Sequence, residues 1–84
     1  MDFDLIVAEN CCACERTENK LLKYAIDKDF IKFKIFLQEV SPFKTTIVPS
    51  LFINGKLFAY GEIDAKLLEK KVFKLHREEA ISII

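Results

Sequence analysis

The sequence predicts an α/β domain with a four-stranded mixed sheet, in which a βαβ unit is followed by a ββα unit. Three observations predict this fold class. Two short apolar runs, at 3–8 and 31–37, flank a stretch with helical spacing. Asn-Gly at 54–55, between two further short apolar runs, is typical of a two-residue hairpin turn. A long amphipathic segment then closes the chain.

The first half of the chain predicts a strand, a helix and a second strand. Residues 3–8 form a short, largely apolar run that is typical of a buried strand. Apolar residues then recur near helical spacing through about residue 27, with Asn10 or Cys11 as the N-cap. Residues 31–37 alternate at first and then become continuously apolar, so we expect the far end of this strand to be buried on both faces.

The second half predicts a hairpin followed by a helix. Residues 39–48 are irregular and have room for at most one helical turn. Residues 50–53 and 56–60 are the two hairpin strands. A helix is expected over 62–79, and the apolar tail 80–84 either extends it or forms an edge strand. The apolar stripe of this helix comprises Ile63, Leu67, Val72 and Leu75, flanked by Leu68.

The composition indicates a single small domain spanning 1–84. The chain has 84 residues, of which 51% are hydrophobic, and its eight Phe make a core feasible despite the small size. The formal net charge is zero, which gives no global electrostatic reason to expect nucleic acid or an anionic membrane as a partner. Neither a signal peptide nor a membrane span is recognised, so we expect a cytoplasmic protein.

Three clustered cysteines are the most informative feature of the sequence. In the cytoplasm such a cluster indicates catalysis or metal binding rather than a structural disulfide. Residues i and i+3 of a helix share a face at about 5–6 Å between Cβ atoms. A disulfide needs about 3.5–4.5 Å, so a small adjustment would join Cys11 to Cys14. Pairs through Cys12 would be strained or would point to different faces, so we predict that Cys12 stays outside the disulfide.

Cys11 is predicted to be the attacking thiol of this pair. It lies where a helix N-terminus stabilises a thiolate, and the thiolate is the species that attacks disulfides. Cys14, one turn deeper, would resolve the mixed disulfide. Arg16 would favour the Cys11 thiolate, whereas Glu9 would oppose it.

Three segments of the chain occur in an order known from one protein superfamily. Residues 11–14, Cys-Cys-Ala-Cys, follow the first strand. Residues 46–56, Thr-Ile-Val-Pro-Ser-Leu-Phe-Ile-Asn-Gly-Lys, lead into the hairpin, and Gly61 precedes the last helix. Together they resemble the thioredoxin-like superfamily, most closely its small glutaredoxin-like members. The resemblance covers nearly the whole chain and implies a minimal thioredoxin-like fold whose second helix is reduced or absent.

The resemblance implies an enzyme, a thiol-disulfide oxidoreductase whose catalytic residues are Cys11 and Cys14. It also implies that Val48–Pro49 is a cis peptide facing these cysteines. The Val48 backbone would then pair with an extended substrate in a strand-addition mode. No cofactor is expected beyond the redox-active disulfide, with glutathione a candidate reductant.

The implied partners are a protein disulfide substrate and an electron donor, which is either a reductase or glutathione. Where glutaredoxins carry small residues, this chain has Tyr60 and Glu62, so we expect it not to hold glutathione tightly. Neither nucleic acid nor a membrane is expected as a partner, and the chain is expected to be a monomer or a weak dimer.

Two other function classes remain open from the sequence. A metallochaperone could hold Cu(I) or Zn(II) through Cys11, Cys14 and also Cys12, because soft thiolates suit these ions. The Asn-Gly hairpin and the long helix after it favour the redox fold over this reading. A non-enzymatic interaction domain could also retain the fold, although the presence of both cysteines of the pair counts against it.

Overall fold

The order of secondary-structure elements confirms the βαβ unit followed by a ββα unit. The computed structural model describes residues 1–82, with side chains described for residues 1–78. The elements in chain order are β1 Asp2–Val7, α1 Cys12–Ala25, β2 Lys32–Leu37, a short 3-10 helix Gln38–Val40, β3 Ser50–Ile53, β4 Lys56–Tyr60 and α2 Ala65–Ser82. Within residues 1–82, none of the helices combines the length and apolar character that crossing a membrane requires.

The four strands form one mixed sheet in the order β2-β1-β3-β4. β1 runs parallel to β2 and antiparallel to β3, and β3 and β4 form an antiparallel hairpin. The hairpin turn places Asn54 at φ 51° and Gly55 at φ 81°, the left-handed conformations that a tight turn of this kind requires. The predicted α/β class with a four-stranded mixed sheet is therefore confirmed.

Both helices bury their apolar sides against one face of the sheet. Alternation along β1 sends Phe3, Leu5 and Val7 to this face, where they join one buried cluster. Helix α1 contributes Leu21 to the same cluster, and the other members from β3 and α2 are Leu51, Ile53, Leu68 and Val72. The core thus lies between the sheet and the two helices, which fixes where α1 begins relative to the strand ends.

The opposite face of the sheet is covered by a loop rather than by a helix. Only the 3-10 helix Gln38–Val40 forms between β2 and β3, in agreement with the prediction of at most one helical turn. Phe43 from the following loop stacks on Phe52 of β3, with ring centroids 4.1 Å apart and an angle of 10° between the rings. This contact leaves Phe52 only 9% exposed.

The expectation that the far end of β2 is buried on both faces is wrong. Ile35 is 40% exposed and Leu37 is 41% exposed. Because β2 lies at the edge of the sheet, the helices cover it less completely than they cover β1 and β3. The continuous apolar run therefore reflects an open edge rather than a buried strand.

Helix α2 begins later than predicted because Asp64 caps it. Asp64 Oδ1 accepts hydrogen bonds from the backbone N–H groups of Lys66, at 2.8 Å, and Leu67, at 3.4 Å. Leu67 is 58% exposed, so its assignment to the buried stripe is wrong. The helix continues through Ser82, which favours helical extension of the tail, and residues 83–84 lie outside the described part of the chain.

Candidate active site

Cys11 is held at the point where the chain leaves the sheet and enters α1. Asn10 adopts φ 56°, which turns the chain after β1, and Cys11 then takes the extended N-cap conformation. The backbone N–H of Cys14 donates to Cys11 Sγ at 3.2 Å. The Cys11 carbonyl accepts the first helical hydrogen bond, from Glu15 N–H at 3.1 Å. Of the two N-caps considered from sequence, the structure has Cys11.

The two cysteines of the pair differ in their electrostatic surroundings. A hydrogen bond from the Cys14 side chain, followed by the Cys14 backbone N–H, lowers the pKa of Cys11. Burial, together with the hydrogen bond that its side chain gives to Cys11, raises the pKa of Cys14. At a given pH, Cys11 therefore has the larger thiolate fraction of the two.

The two cysteines also differ in solvent exposure. Cys11 is half-buried, Cys14 is only 3% exposed, and Cys12 is exposed on the outer side of α1. The prediction that Cys11 lies nearer to solvent than Cys14 is thus confirmed. All three cysteines are free thiols in this structure, and the pairing of Cys11 with Cys14 in an oxidised form stays a prediction.

Arg16 links the cysteine helix to the loop before α2. Its Nη2 lies 3.4 Å from Glu62 Oε1, and both side chains are largely exposed. Arg16 also contributes to the lowered pKa of Cys11, in the direction expected from the sequence. The contact with Glu62 was missed by sequence reasoning, because no local pattern joins residues 46 positions apart.

Pro49 and the cysteines lie at the same end of the sheet, where β1 ends and β3 begins. The Val48–Pro49 peptide bond is cis, as the segment 46–56 predicted. Because β1 and β3 are antiparallel, with Ile6 opposite Ser50, the start of β3 lies beside the end of β1 that leads to Cys11. Both Val48 and Cys11 pack against the same buried cluster. The topology thus brings the two predicted parts of the site to one end of the domain.

Only some of the backbone groups around Pro49 form hydrogen bonds within residues 1–82. The Pro49 carbonyl accepts a hydrogen bond from Gly61 N–H at 2.7 Å. Val48 takes part in none of the loop backbone–backbone hydrogen bonds within residues 1–82. The Val48 N–H and C=O could consequently form hydrogen bonds with an extended chain at this end of the sheet.

The loop before Pro49 is fixed by hydroxyl groups that the sequence reasoning did not single out. Thr45 Oγ1 donates to the Ile47 carbonyl at 3.1 Å, and the fully buried Ser50 also donates its hydroxyl to that carbonyl. Gln38 Nε2 donates to the Thr45 carbonyl at 2.7 Å. The clustering of Ser and Thr before and after the proline was the available signal, since such side chains often bond nearby backbone in turns.

The thiols of this site are also potential ligands for soft metal ions. Within the described part of the chain, no group of three or more His, Cys, Asp and Glu side chains is arranged to hold a metal ion. A site on Cys11 and Cys14 alone would supply two ligands, whereas structural Zn(II) sites take four. Two thiolates would therefore need ligands from another molecule to complete a zinc site.

Comparison with known proteins assigns no family to this chain. No protein-family model matches its sequence. No curated protein matches it at a significant level of similarity. Functional inference therefore rests on the geometry and chemistry of the residues described above.

Proposed function

We propose that this protein is a cytoplasmic thiol-disulfide oxidoreductase with a minimal thioredoxin-like fold, acting through Cys11 and Cys14. One observation carries the proposal. The half-buried Cys11 sulfur at the start of α1 accepts a hydrogen bond from Cys14 N–H at 3.2 Å, with the buried Cys14 thiol one turn further along the helix. Such a site stabilises one thiolate and keeps a second thiol within reach.

The proposed reaction proceeds in two exchange steps. The Cys11 thiolate attacks one sulfur of a substrate disulfide, the substrate S–S bond breaks, and the leaving thiolate takes up a proton. The Cys14 thiol then loses its proton, attacks Cys11 Sγ and releases the second substrate thiol. Two electrons pass to the substrate, and a Cys11–Cys14 disulfide remains, which glutathione or a reductase would return to the dithiol.

The opposite pKa shifts of the two thiols suit this sequence of steps. The lowered pKa of Cys11 supplies thiolate for the first attack, while the raised pKa of Cys14 keeps that group protonated until the mixed disulfide forms. The Cys14 side chain contributes to the lowered pKa of Cys11, so the proton of Cys14 stabilises the attacking thiolate. Once the mixed disulfide removes the charge on Cys11, this interaction weakens and deprotonation of Cys14 becomes easier.

Val48 and Pro49 are the proposed substrate-binding residues. Neither Val48 backbone group takes part in the loop backbone hydrogen bonds of residues 1–82, and both are available for an extended substrate strand. The Pro49 carbonyl already accepts a hydrogen bond from Gly61, which fixes the segment in place. A protein disulfide in an extended segment is the substrate that this arrangement favours.

Reduction of insulin tests the proposal, with glutathione and a thioredoxin-reductase system as alternative donors. We expect turnover with at least one donor, loss of turnover in Cys11→Ser, and a trapped mixed disulfide in Cys14→Ser. Cys12→Ser is the matched control, because this exposed thiol lies outside the proposed pair, and it should retain activity. Absence of turnover with both donors, together with stoichiometric copper or zinc in the purified protein, would favour the metallochaperone instead.

Weak glutathione binding is part of the same proposal. Tyr60 is 49% exposed next to Gly61, and Glu62 adds a carboxylate that pairs with Arg16. A glutathione carboxylate would have to compete with Glu62 for this guanidinium. Calorimetric titration of Cys11→Ser with glutathione should therefore show no micromolar binding, and micromolar affinity would identify a glutathione-dependent enzyme instead.

A further inference from the structure

A groove runs along the outer edge of the sheet, between β4 and α2. It consists of two adjoining cavities of about 550 and 430 Å³ that share Phe58, Lys71 and Lys74. Apolar side chains line it from both elements, chiefly Phe58 from the strand and Leu67 and Leu75 from the helix. Leu67 is 58% exposed, so one wall of the groove presents apolar surface to solvent.

The groove also carries lysines that form no ion pair with any carboxylate among residues 1–78. Its lysines are Lys56, Lys70, Lys71 and Lys74. Among the described side chains, the ion pairs join Arg16 to Glu62 and Lys28 to Asp27, so none of these four lysines lies within 4.0 Å of a carboxylate. Among the described side chains, the positive charge along the middle of the groove is therefore not paired with a carboxylate.

Three carboxylates also line the groove, and two of them are already engaged. Glu62 pairs with Arg16 at 3.4 Å, and Asp64 accepts hydrogen bonds from the backbone at the start of α2. Glu78 lies at the opposite end of the groove, beyond Leu75. Between these two ends of the groove, a ligand would meet the positive charge of the lysines.

β4 is an edge strand, which determines the shape of ligand that the groove fits. It pairs with β3 on one side only, so its other edge presents unpaired backbone groups. An extended peptide can add to such an edge, with side chains alternating between the groove and solvent. Every second side chain would face the groove, and among these the apolar ones would contact Phe58 and Leu67 while the acidic ones would meet the lysines.

We propose that this groove is a docking site for an extended segment of a partner protein, in which the groove-facing residues, every second one, include both acidic and aliphatic side chains. The proposal goes beyond the thiol-disulfide activity and does not depend on it. A nucleic acid fits less well, because the groove has an apolar lining and the whole chain has a formal net charge of zero. The groove begins at Glu62, whose partner Arg16 belongs to the cysteine helix, so a docked segment would lie beside the thiol site.

Fluorescence anisotropy with labelled peptides tests the docking site. The probe is a peptide of about eight residues, a common strand length, in which every second residue is in turn acidic (Asp or Glu) and aliphatic (Val or Ile), with uncharged polar residues between them. The full chain with all three cysteines changed to Ser is used, so that disulfide exchange cannot contribute to binding. We expect saturable binding that weakens as the salt concentration rises.

Charge reversal on the groove is compared with an equal reversal elsewhere. Lys71→Glu with Lys74→Glu should weaken binding by about tenfold or more. The control, Lys23→Glu with Lys66→Glu, changes the net charge equally at exposed positions that do not line the groove, and should leave affinity within about twofold. Leu67→Asn should also weaken binding without unfolding the chain, because this side chain is mostly exposed.

Four outcomes would overturn the proposal. They are the absence of saturable binding of the acidic probe, an equal loss of affinity in the control pair, equal binding of a peptide in which Gly replaces the aliphatic residues, and tighter binding of a single-stranded oligonucleotide. Because the cysteines are absent from the protein used, these outcomes are independent of the insulin assay. A failed redox assay with successful peptide binding would leave a binding module.

Discussion

At the residue scale, the site depends on the different environments of two thiols one helical turn apart. Cys11 lies at the helix start, where its sulfur accepts a backbone hydrogen bond, and Cys14 is buried against the sheet. The helix N-terminus stabilises negative charge at the first position, and burial disfavours it at the second. The same spacing on an exposed helix would not separate the two pKa values in this way.

The first prediction concerns the pH dependence of alkylation of Cys11. In Cys12→Ser/Cys14→Ser, the rate should rise with pH through a midpoint below the free cysteine value of about 8.5, because the lowered pKa makes thiolate available at lower pH. The backbone N–H of residue 14 remains in this variant, and the serine hydroxyl at that position can donate a hydrogen bond to the Cys11 sulfur in place of the thiol. In Cys11→Ser/Cys12→Ser, the midpoint for Cys14 should lie above that of unfolded protein in urea. Equal midpoints for the two thiols would contradict the assignment.

The second prediction concerns the guanidinium near Cys11. Arg16→Gln should raise the pKa of Cys11 and lower its alkylation rate at neutral pH, by no more than about threefold, because exposed charges are screened by water and salt. The difference should shrink as the salt concentration rises. Lys23→Gln, an equal charge change at an exposed position of α1, is the control and should leave the rate unchanged. If Lys23→Gln lowered the alkylation rate as much as Arg16→Gln, the net charge rather than the position of Arg16 would be responsible.

At the scale of elements, α1 is held in place by one face only. Leu21 is 1% exposed and belongs to the central cluster, whereas the adjacent Leu22 is 45% exposed. Because both residues are leucines at successive positions of α1, they have the same helix propensity and differ in burial. They allow the packing of α1 against the sheet to be measured directly.

The third prediction compares truncation of these two leucines. Leu21→Ala should lower the free energy of unfolding by about 2–5 kcal/mol, because it leaves a cavity in the core. Leu22→Ala should cost well under about 1 kcal/mol, since the exposed side chain loses few contacts. Urea denaturation of both variants measures the difference. Similar losses would mean that α1 does not pack on the sheet through Leu21.

The fourth prediction concerns the start of α2. Asp64→Ala should lower the free energy of unfolding by about 1 kcal/mol, because the backbone N–H of Lys66 loses its acceptor. Asp64→Ser should recover most of this loss, since a hydroxyl can cap in the same way. Asp29→Ala, which removes an exposed carboxylate from the turn before β2, serves as the control with little effect expected. An equal cost for Asp29→Ala would indicate a general charge effect instead of a cap.

At the scale of the whole molecule, every described element except the 3-10 helix belongs to one buried cluster or packs against it, the latter through Phe33 of β2 and Phe58 of β4. The strands β1 and β3 and both helices contribute side chains to it. No element therefore has a separate core on which it could remain folded alone. The chain as a whole is expected to behave as one cooperative unit.

The fifth prediction is that unfolding in urea is a single transition. Helical circular dichroism reports mainly on α1 and α2, while tyrosine fluorescence reports on Tyr24 of α1 and Tyr60 of β4. The midpoints from the two signals should coincide, since the helices and the sheet lose the same core. Loss of the helical signal at a clearly lower urea concentration would show that a helix unfolds independently of the sheet.

Local patterns in the sequence determined the order of the elements and the position of the thiol pair. The Asn-Gly turn, the apolar runs and the segment around Pro49 each depend on neighbours a few residues away, so they could be recognised without a structure. The observed boundaries of the helices and strands differ from the predicted ones by up to about three residues. At the start of α2 the cause is the cap formed by Asp64. The placement of Cys14 relative to Cys11 was predictable for the same reason, because it depends on one helical turn.

Only the tertiary structure decided which apolar faces are covered and which distant charges meet. The alternating pattern of β2 says which residues share a face, but the position of this strand at the sheet edge leaves Ile35 and Leu37 partly exposed. The pairing of Arg16 with Glu62 likewise requires α1 and the start of α2 to lie side by side. Periodicity fixes the relation between side chains within an element, whereas burial and charge pairing depend on the neighbours that the fold brings to that element.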